Sequence, residues 1–325
     1  MMKKHTHKFI SFGLIIAILV CSMMVYAVPV NAAILSCGDF HFRVKGDSAT
    51  LLDYQGGSST MLTVPSTVED SSSNKQYTVT EIGYDCFRAK GGNLKSVSLP
   101  STLTSIGYGA FHECSSLETI SIPGSITTIG NCAFDSCTSL KGITIPNNVT
   151  SIGDFAFAGC TSLESVSVPA SVTELGFAIF HECTALKTAT LTSKAGQMMF
   201  RGCTALTMVD LGNVKEIEYK MFENCTSLKS VFVSSGNPTI GFEAFNNCPA
   251  EIVKKRAGDI NNDKKININD ATEYQLILAD IKPDTDAYNI NGNILDDNKR
   301  DINDVTYIQL YLAKKCSSIP VKQSF

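Results

Sequence analysis

A 23-residue repeat occupies the middle of the chain and restricts how it can fold. The segments "LKSVSLPSTLTSIGYGAFHECSS", "LETISIPGSITTIGNCAFDSCTS", "LKGITIPNNVTSIGDFAFAGCTS" and "LESVSVPASVTELGFAIFHECTA" follow one another without a break. The period then slips, because the repeated cysteine returns after 20, 22 and 23 residues. One unit of this length cannot bury its own apolar side, so neighbouring units must stack into a solenoid.

Each unit begins with an alternating pattern that predicts a β-strand. Leu117, Ile120 and Ile122 fall on one side of this strand, and Ser121 falls on the other. A second short strand, "SITTIG", and a tight turn containing "AFxxC" complete the unit. Upstream, "LTVPSTV" and "TVTEIGYDCF" form an edited copy that is split by "EDSSSNKQY". We therefore predict a cap with a degenerate first repeat over residues 33–77 and a solenoid over residues 78–254.

The pattern L-x-x-I-x-I-P-x-x-V-x-x-I-G-x-x-A-F-x-x-C-x-x-L resembles the bacterial leucine-rich repeats of the BspA-like type. The match weakens in "LTSKAGQMMF" and "LGNVKEIEYKMF", which lack the proline and part of the second strand. The resemblance implies a β-rich leucine-rich-repeat solenoid with parallel strands and short turns or helices. It also implies adhesion or protein recognition as the function, and no catalytic residues.

The twelve cysteines favour a buried row over a disulfide framework. Cys37, Cys86, Cys132 and Cys316 lie off this row, and removal of a leader containing Cys21 would leave an odd number of thiols. A small apolar thiol suits a repeated buried position, so we predict a mostly reduced cysteine ladder. Its members occupy one equivalent position per repeat: Cys114, Cys137, Cys160, Cys183, Cys203, Cys225 and Cys248.

Two "HEC" sequences, which begin at His112 and His181, are not predicted to form a catalytic or metal pair. The aligned residue in other coils is as varied as Asp135, Ala158 and Arg201, so we expect a solvent-facing position. A formal charge of −4 gives no basic surface for nucleic acid. The sequence shows no nucleophile elbow, phosphate-binding glycine loop or zinc signature, so the predicted ligand of the repeats is a protein or a glycan.

Aromatic residues after the glycine of "IG" form the candidate ligand surface. Stacked in register, they would make a stripe able to hold sugar rings or apolar side chains. The alternative is that each ring packs across the turn on the neighbouring coil. The stripe consists of Tyr84, Tyr108, Phe177, Tyr219 and Phe242. The outward strand position beside it is mostly a small hydroxyl, at Ser98, Ser121, Thr144, Ser167 and Thr190, and then becomes Asp210 and Phe232.

Residues 1–32 match a secretory signal peptide. Lysines precede an uncharged apolar run over residues 9–20, and the small residues of "VYAVPVNAA" allow cleavage after Ala27 or Ala32. The alternative is a retained membrane anchor, because residues 9–30 carry no charge and are long enough to span a bilayer. We predict export, and therefore a secreted, extracellular protein.

The segment "GDINNDKKININD" has the oxygen spacing of an EF-hand calcium loop. "INDATEYQLILA" returns as "INDVTYIQLYLA" 34 residues later, which indicates a second, related loop. A direct offset starts that loop at Asn293 and puts Leu295 at position 3, whereas an insertion after "NINGN" avoids the leucine. The ligands of the first loop are Asp259, Asn261, Asp263, the carbonyl of Lys265, Asn267 and Asp270, and those shared by both versions of the second are Asn293, Asp301 and Asp304.

Two calcium loops that each lead into a helix-like run resemble a type I dockerin, here over residues 258–316 with a tail at residues 317–325. The resemblance implies a small α-helical domain, two Ca²⁺ ions, and docking to a cohesin of a cellulosome scaffoldin in polysaccharide degradation. Lys264 replaces the usual glycine at loop position 6, and the Ser-Thr pair common at positions 10 and 11 is absent. The residues that would contact the cohesin are Ile268, Asn269, Gln275, Leu276, Ile302, Asn303, Gln309 and Leu310.

Together these patterns predict a secreted, cellulosome-associated binding protein without enzymatic activity. Two alternatives remain open at this point. One is a cell-surface adhesin that is retained by its N-terminal segment. The other is a cellulosomal protease inhibitor or enzyme accessory subunit.

Overall fold

The computed structural model describes residues 33–57, 59–88, 93–192, 194–234 and 237–254. The predicted signal peptide and dockerin lie outside these ranges. The described residues form strands and tight turns. Tight turns occupy the places where the sequence allowed either short turns or short helices. The strands are β1 (Ala33–Cys37), β2 (Phe40–Lys45), β3 (Ser48–Tyr54), β4 (Met61–Thr63), β5 (Thr67–Asp70), β6 (Lys75–Ile82), β7 (Ser96–Ser98), β8 (Ser105–Ile106), β9 (Thr119–Ser121), β10 (Thr128–Ile129), β11 (Ser151–Ile152), β12 (Ser165–Val168), β13 (Glu174–Leu175), β14 (Thr188–Leu191), β15 (Met208–Asp210), β16 (Glu216–Ile217), β17 (Ser230–Val233), β18 (Thr239–Ile240) and β19 (Glu251–Lys254).

The N-terminal end of the stack is closed by antiparallel strands. β1, β2 and β3 pair in sequence, and β3 then joins β6 in parallel. The polar insert "EDSSSNKQY" forms the end of β5, the beginning of β6 and the turn of the hairpin between them. Its turn is held by Asp70, whose carboxylate accepts the hydroxyl hydrogen bonds of Ser72 at 2.6 Å and Ser73 at 2.8 Å.

The solenoid contributes two rows of parallel strands. The strands with the L-x-x-I-x-I pattern form β4-β7-β9 and β12-β14-β15-β17-β19, and the second strand of each coil forms β6-β8-β10-β11-β13 and β16-β18. Leu117, Ile120 and Ile122 are buried and Ser121 is exposed, as the alternation predicted. Burial of these repeated apolar side chains in one continuous core is the main stabilising contribution to the stack.

A column of stacked phenylalanine rings, the phenylalanine ladder, runs through this core. Neighbouring ring centroids are 4.9 to 5.8 Å apart, and their planes differ by 25° or less. This separation follows from coils that are stacked near the usual spacing of paired strands, about 4.8 Å. The ladder consists of Phe87, Phe111, Phe134, Phe157, Phe180, Phe200, Phe222 and Phe245.

The cysteine ladder lies beside the phenylalanine ladder and is connected to it by hydrogen bonds. From Cys114 to Cys225, each Sγ donates to the carbonyl of the phenylalanine in the preceding coil, at 3.0 to 3.3 Å. Burial raises the pKa of the Cys225 thiol to about 12 and raises those of Cys137, Cys160 and Cys183 well above their usual value. The thiols therefore stay protonated at neutral pH and can act as donors.

Two residues in the turn of each complete coil have a left-handed backbone. One lies two residues after the glycine of "IG", and the other lies immediately before the ladder cysteine. Phe155, Ala178 and Glu182 adopt this conformation with φ of 55 to 56°, although only glycine adopts it without a steric cost. The stacking of each turn on its neighbours must therefore stabilise a conformation that the local sequence does not favour.

Candidate functional site

The aromatic residues of the predicted stripe form two stacked pairs at opposite ends of the solenoid. Tyr84 and Tyr108 have ring centroids 5.0 Å apart and planes 10° apart. Tyr219 and Phe242 have centroids 6.3 Å apart and planes 7° apart. Tyr84 is 40% exposed and Phe242 is 72% exposed, so both pairs combine packing on the next coil with access to a ligand.

Polar residues separate the two pairs. The Oδ1 atom of Asn131 accepts the amide of Asp154 at 3.1 Å, and the Oδ1 atom of Asp154 accepts the amide of Phe177 at 3.0 Å. The ring of Phe177 meets Phe155 edge to face, with centroids 4.7 Å apart. Within the described chain, the structure therefore brings together two pairs and does not form one continuous stripe. Phe155 was missed by the sequence analysis, which considered only the residue directly after the glycine.

The row of hydroxyls on the first strand is less uniform than predicted. Ser98, Ser121 and Ser167 are exposed. Asp210 and Phe232, which continue this row, are only 4% and 3% exposed, so the prediction that they point outward is wrong. The carboxylate of Asp210 accepts the amide of Gly212 at 2.9 Å, which gives this buried side chain a structural role.

The position of the "HEC" histidines is half-buried and paired between coils, so the prediction of a solvent-facing position is wrong. The Nε2 atom of His112 lies 3.3 Å from Oδ2 of Asp135 in the next coil. The Nδ1 atom of His181 lies 3.0 Å from the carbonyl oxygen of Arg201 in the next coil. The polar side chains at this position differ from coil to coil and pair with the adjacent coil, so their variation does not indicate exposure.

The same row contains a buried carboxylate. Arg201 bonds to Glu223, Lys220 lies 3.3 Å from it, and Asn246 donates to it at 3.1 Å. Burial would raise the pKa of Glu223, but the hydrogen bonds from Arg201, Asn246 and Lys220 together lower it. The cluster joins three successive coils and leaves no acidic proton for catalysis at neutral pH.

Within the described parts of the chain, no cluster of three or more metal-ligating side chains is present. No helix in those parts is long and apolar enough to cross a bilayer. The predicted calcium ligands and cohesin contacts, from Asp259 to Leu310, lie outside the described residues.

Comparison with known families identifies the repeats. A family model described as the BspA type leucine rich repeat region, with six copies, matches residues 80–198 and 127–252. These two ranges together span more than half of the 325-residue chain. The chain belongs to the BspA-type leucine-rich repeat family.

Solved structures agree with this BspA-type assignment. The leucine rich repeat protein TpLRR of T. pallidum is 26% identical with a TM-score of 0.52, and the match covers 66% of this chain and 89% of that one. A leucine-rich repeat protein from Bacteroides ovatus is 22% identical with a TM-score of 0.52, covers 69% of this chain and 71% of that one, and shows the fold alone. No curated protein matches the chain. The prediction of a leucine-rich-repeat β-solenoid is confirmed.

Proposed function

We propose that this BspA-type protein is a secreted, non-catalytic recognition protein. Its solenoid would bind a protein or glycan, and its C-terminal segment would attach it to a cohesin-bearing scaffoldin. The observation that carries the recognition role is the pair formed by Tyr219 and Phe242, together with the neighbouring residue Ile240. Exposed aromatic clusters of this kind are typical of binding surfaces.

The last coils of the described solenoid concentrate this exposed apolar surface. Phe242 is 72% exposed and Ile240 is 58% exposed, and both lie in or next to β18. The stacking on Tyr219 fixes the orientation of the Phe242 ring, so less side-chain entropy is lost when a ligand covers it. This preorganised pair of rings, the Tyr219–Phe242 plate, can stack on a sugar ring or accept an apolar side chain.

Removal of the Phe242 ring is expected to weaken ligand binding at least tenfold and to lower the stability by less than about 1 kcal/mol, because the ring is largely exposed in the free protein. The measurement is binding of the secreted chain and its Phe242→Ala variant to a glycan and protein array, followed by titration of each hit. Met61→Ala is the matched control, since Met61 is 75% exposed and far away in sequence. Equal binding by all three proteins to every hit would contradict a role for this pair.

The attachment role rests on the donor set of residues 258–316. Aspartate and asparagine oxygens at alternate positions suit Ca²⁺, which takes six to eight oxygen ligands. When bound, calcium would neutralise the carboxylates of Asp259, Asp263 and Asp270 and so permit the segment to fold. The two matching "IND" segments each contain Gln and Leu at the same places, so they would then offer two similar cohesin-binding faces.

Calcium titration of the chelator-treated full chain is expected to show two bound ions. Asp270→Ala should remove one of them, because it deletes the carboxylate at position 12 of the first loop. Asp280→Ala, just beyond the first repeated helix-like run, is the matched control and should leave both ions bound. Isothermal calorimetry makes the measurement, and the absence of calcium binding by the native chain would overturn the attachment role while leaving the solenoid's role untouched.

A further inference from the structure

The second row of strands is interrupted where the repeat shortens. β13 and β16 are the edges of two separate sheets, because the described residues of the 20-residue coil between Cys183 and Cys203 contain no second strand. A groove of about 760 Å³ lies at this interruption. Its lining includes Glu174, Leu175, Lys194, Ala195, Glu216 and Glu218.

Glu218 is the residue by which the groove can be recognised in the sequence. In the other coils its position is glycine, and a Cβ added to Gly107, Gly130 or Gly176 would lie 2.4 to 2.7 Å from the backbone of the preceding coil. Side chains cannot approach a backbone this closely, so the stacking of complete coils excludes every residue except glycine. Glu218 is accommodated because the preceding coil lacks its second strand.

The strand edges on both sides of the groove carry backbone groups that lack partners. In complete coils the glycine amide donates to the preceding coil, as Gly153 does to Ile129 at 2.9 Å and Gly176 to Ile152 at 2.8 Å. Among the described residues, nothing donates to the carbonyl of Leu175, and the amide of Glu218 has no acceptor. Unpaired strand edges are templates for an added strand.

The groove lining contains three glutamates and two lysines, Lys194 and Lys215, so its net negative charge favours a basic ligand. No described side chain forms an ion pair or hydrogen bond with the carboxylates of Glu174, Glu216 or Glu218. Lys194 is already used, because its Nζ atom donates to the carbonyl of Thr173 at 2.6 Å. Burial, followed by the charge of Glu216, raises the pKa of Glu218, as expected for a carboxylate without a cationic partner.

We propose that this groove binds an extended polypeptide segment of a partner protein, which adds a strand between β13 and β16. The amides of that segment donate to the carbonyl of Leu175, and its carbonyls accept from the amide of Glu218. Lysine or arginine side chains at every second position of the segment meet Glu216 and Glu218, which are also two residues apart along the chain. This site adjoins the Tyr219–Phe242 plate, because Glu218 precedes Tyr219 and β16 pairs with β18. Separate variants, Glu218→Gly for the groove and Phe242→Ala for the plate, therefore distinguish the two sites.

The test uses a fluorescein-labelled pentapeptide, Val-Lys-Val-Lys-Val, and fluorescence anisotropy with the full chain. The native protein is expected to bind it, and to bind Val-Glu-Val-Glu-Val or a peptide with N-methylated amides at least tenfold more weakly. Glu218→Gly should reduce affinity roughly tenfold, because one charge-assisted contact is lost while the residue of the other coils is restored. Glu251→Gly, which removes an exposed glutamate of β19 outside the groove, is the matched control and should bind like the native chain.

A second variant fills the groove. Residues 191–199, "LTSKAGQMM", are replaced by "VPASVTELGFAI" from residues 168–179, which restores the 23-residue spacing and should abolish binding. The proposal is overturned if Glu218→Gly binds the lysine peptide as tightly as the native chain, or if the two charged peptides bind equally. It is also overturned if light scattering shows that the groove pairs two copies of the chain and Glu218→Gly makes the protein monomeric.

Discussion

Phe157→Ala is expected to lower the free energy of unfolding of the solenoid by about 3–5 kcal/mol, the usual cost of deleting a buried phenylalanine ring. Phe157 is fully buried near the middle of the phenylalanine ladder. Its ring stacks on Phe134 with centroids 5.2 Å apart, and on Phe180 with centroids 5.5 Å apart. The substitution therefore weakens two coil-coil interfaces at once and leaves a cavity that neither neighbour can fill without leaving its own stack.

Urea unfolding followed by circular dichroism measures this loss. Phe242→Ala is the matched control, because the same ring is removed from a site that is 72% exposed, and it should cost less than about 1 kcal/mol. A lower m-value for Phe157→Ala would show that the solenoid has separated into two units that unfold independently. A loss below about 1 kcal/mol with an unchanged m-value would show that the ladder does not hold the coils together.

The fold of the repeats could be predicted because each coil repeats the same burial pattern. The spacing of Leu117, Ile120 and Ile122 determines which side of the strand is buried, and the 23-residue period determines that equivalent side chains meet. A burial pattern that is weak evidence in one coil becomes strong evidence when it recurs, since every coil must pack against equivalent neighbours. The family assignment follows from the same residues.

The details that depend on pairs of neighbouring coils could not be predicted in this way. Variation at the position of His112 suggested exposure, whereas the structure pairs His112 with Asp135 and Arg201 with Glu223. The break in the aromatic stripe has a similar origin, because Asn131 and Asp154, which lie between the two aromatic pairs, bond to the backbone of the next coil. A column of varied residues can be a column of matched contacts, and a single sequence does not distinguish the two.

The groove was visible in the sequence only as a defect. The 20-residue spacing and the "IEY" in place of "IGY" were both departures from the repeat. The sequence does not show that these two departures are connected. Only the structure shows that the glycine position of one coil lies against the backbone of the preceding coil. The missing strand therefore explains why a glutamate can replace glycine at position 218.

Gly130→Ala is expected to lower the free energy of unfolding by about 1–3 kcal/mol, the usual cost of inserting a group into a filled space. A Cβ at Gly130 would lie 2.7 Å from the carbonyl carbon of Gly107 and 2.8 Å from the amide nitrogen of Tyr108. Both atoms are backbone, so no side chain can rotate away and the two coils must separate. That movement would lengthen the hydrogen bond from the Gly130 amide to the carbonyl of Ile106, now 2.8 Å, and disturb the pairing of β8 with β10.

The matched control is the pair Glu218→Gly and Glu218→Ala, because these two variants differ by the same methyl group at the equivalent position of the coil beside the groove. The missing strand leaves room there, and loss of an unpaired carboxylate should change the stability by less than about 0.5 kcal/mol. Thermal unfolding therefore compares the change in stability that a methyl group causes next to a complete coil with the change that it causes next to a shortened coil. If the change from glycine to alanine lowers the stability equally at positions 130 and 218, the glycines are required by the turn itself, and the preceding coil has no part in selecting them.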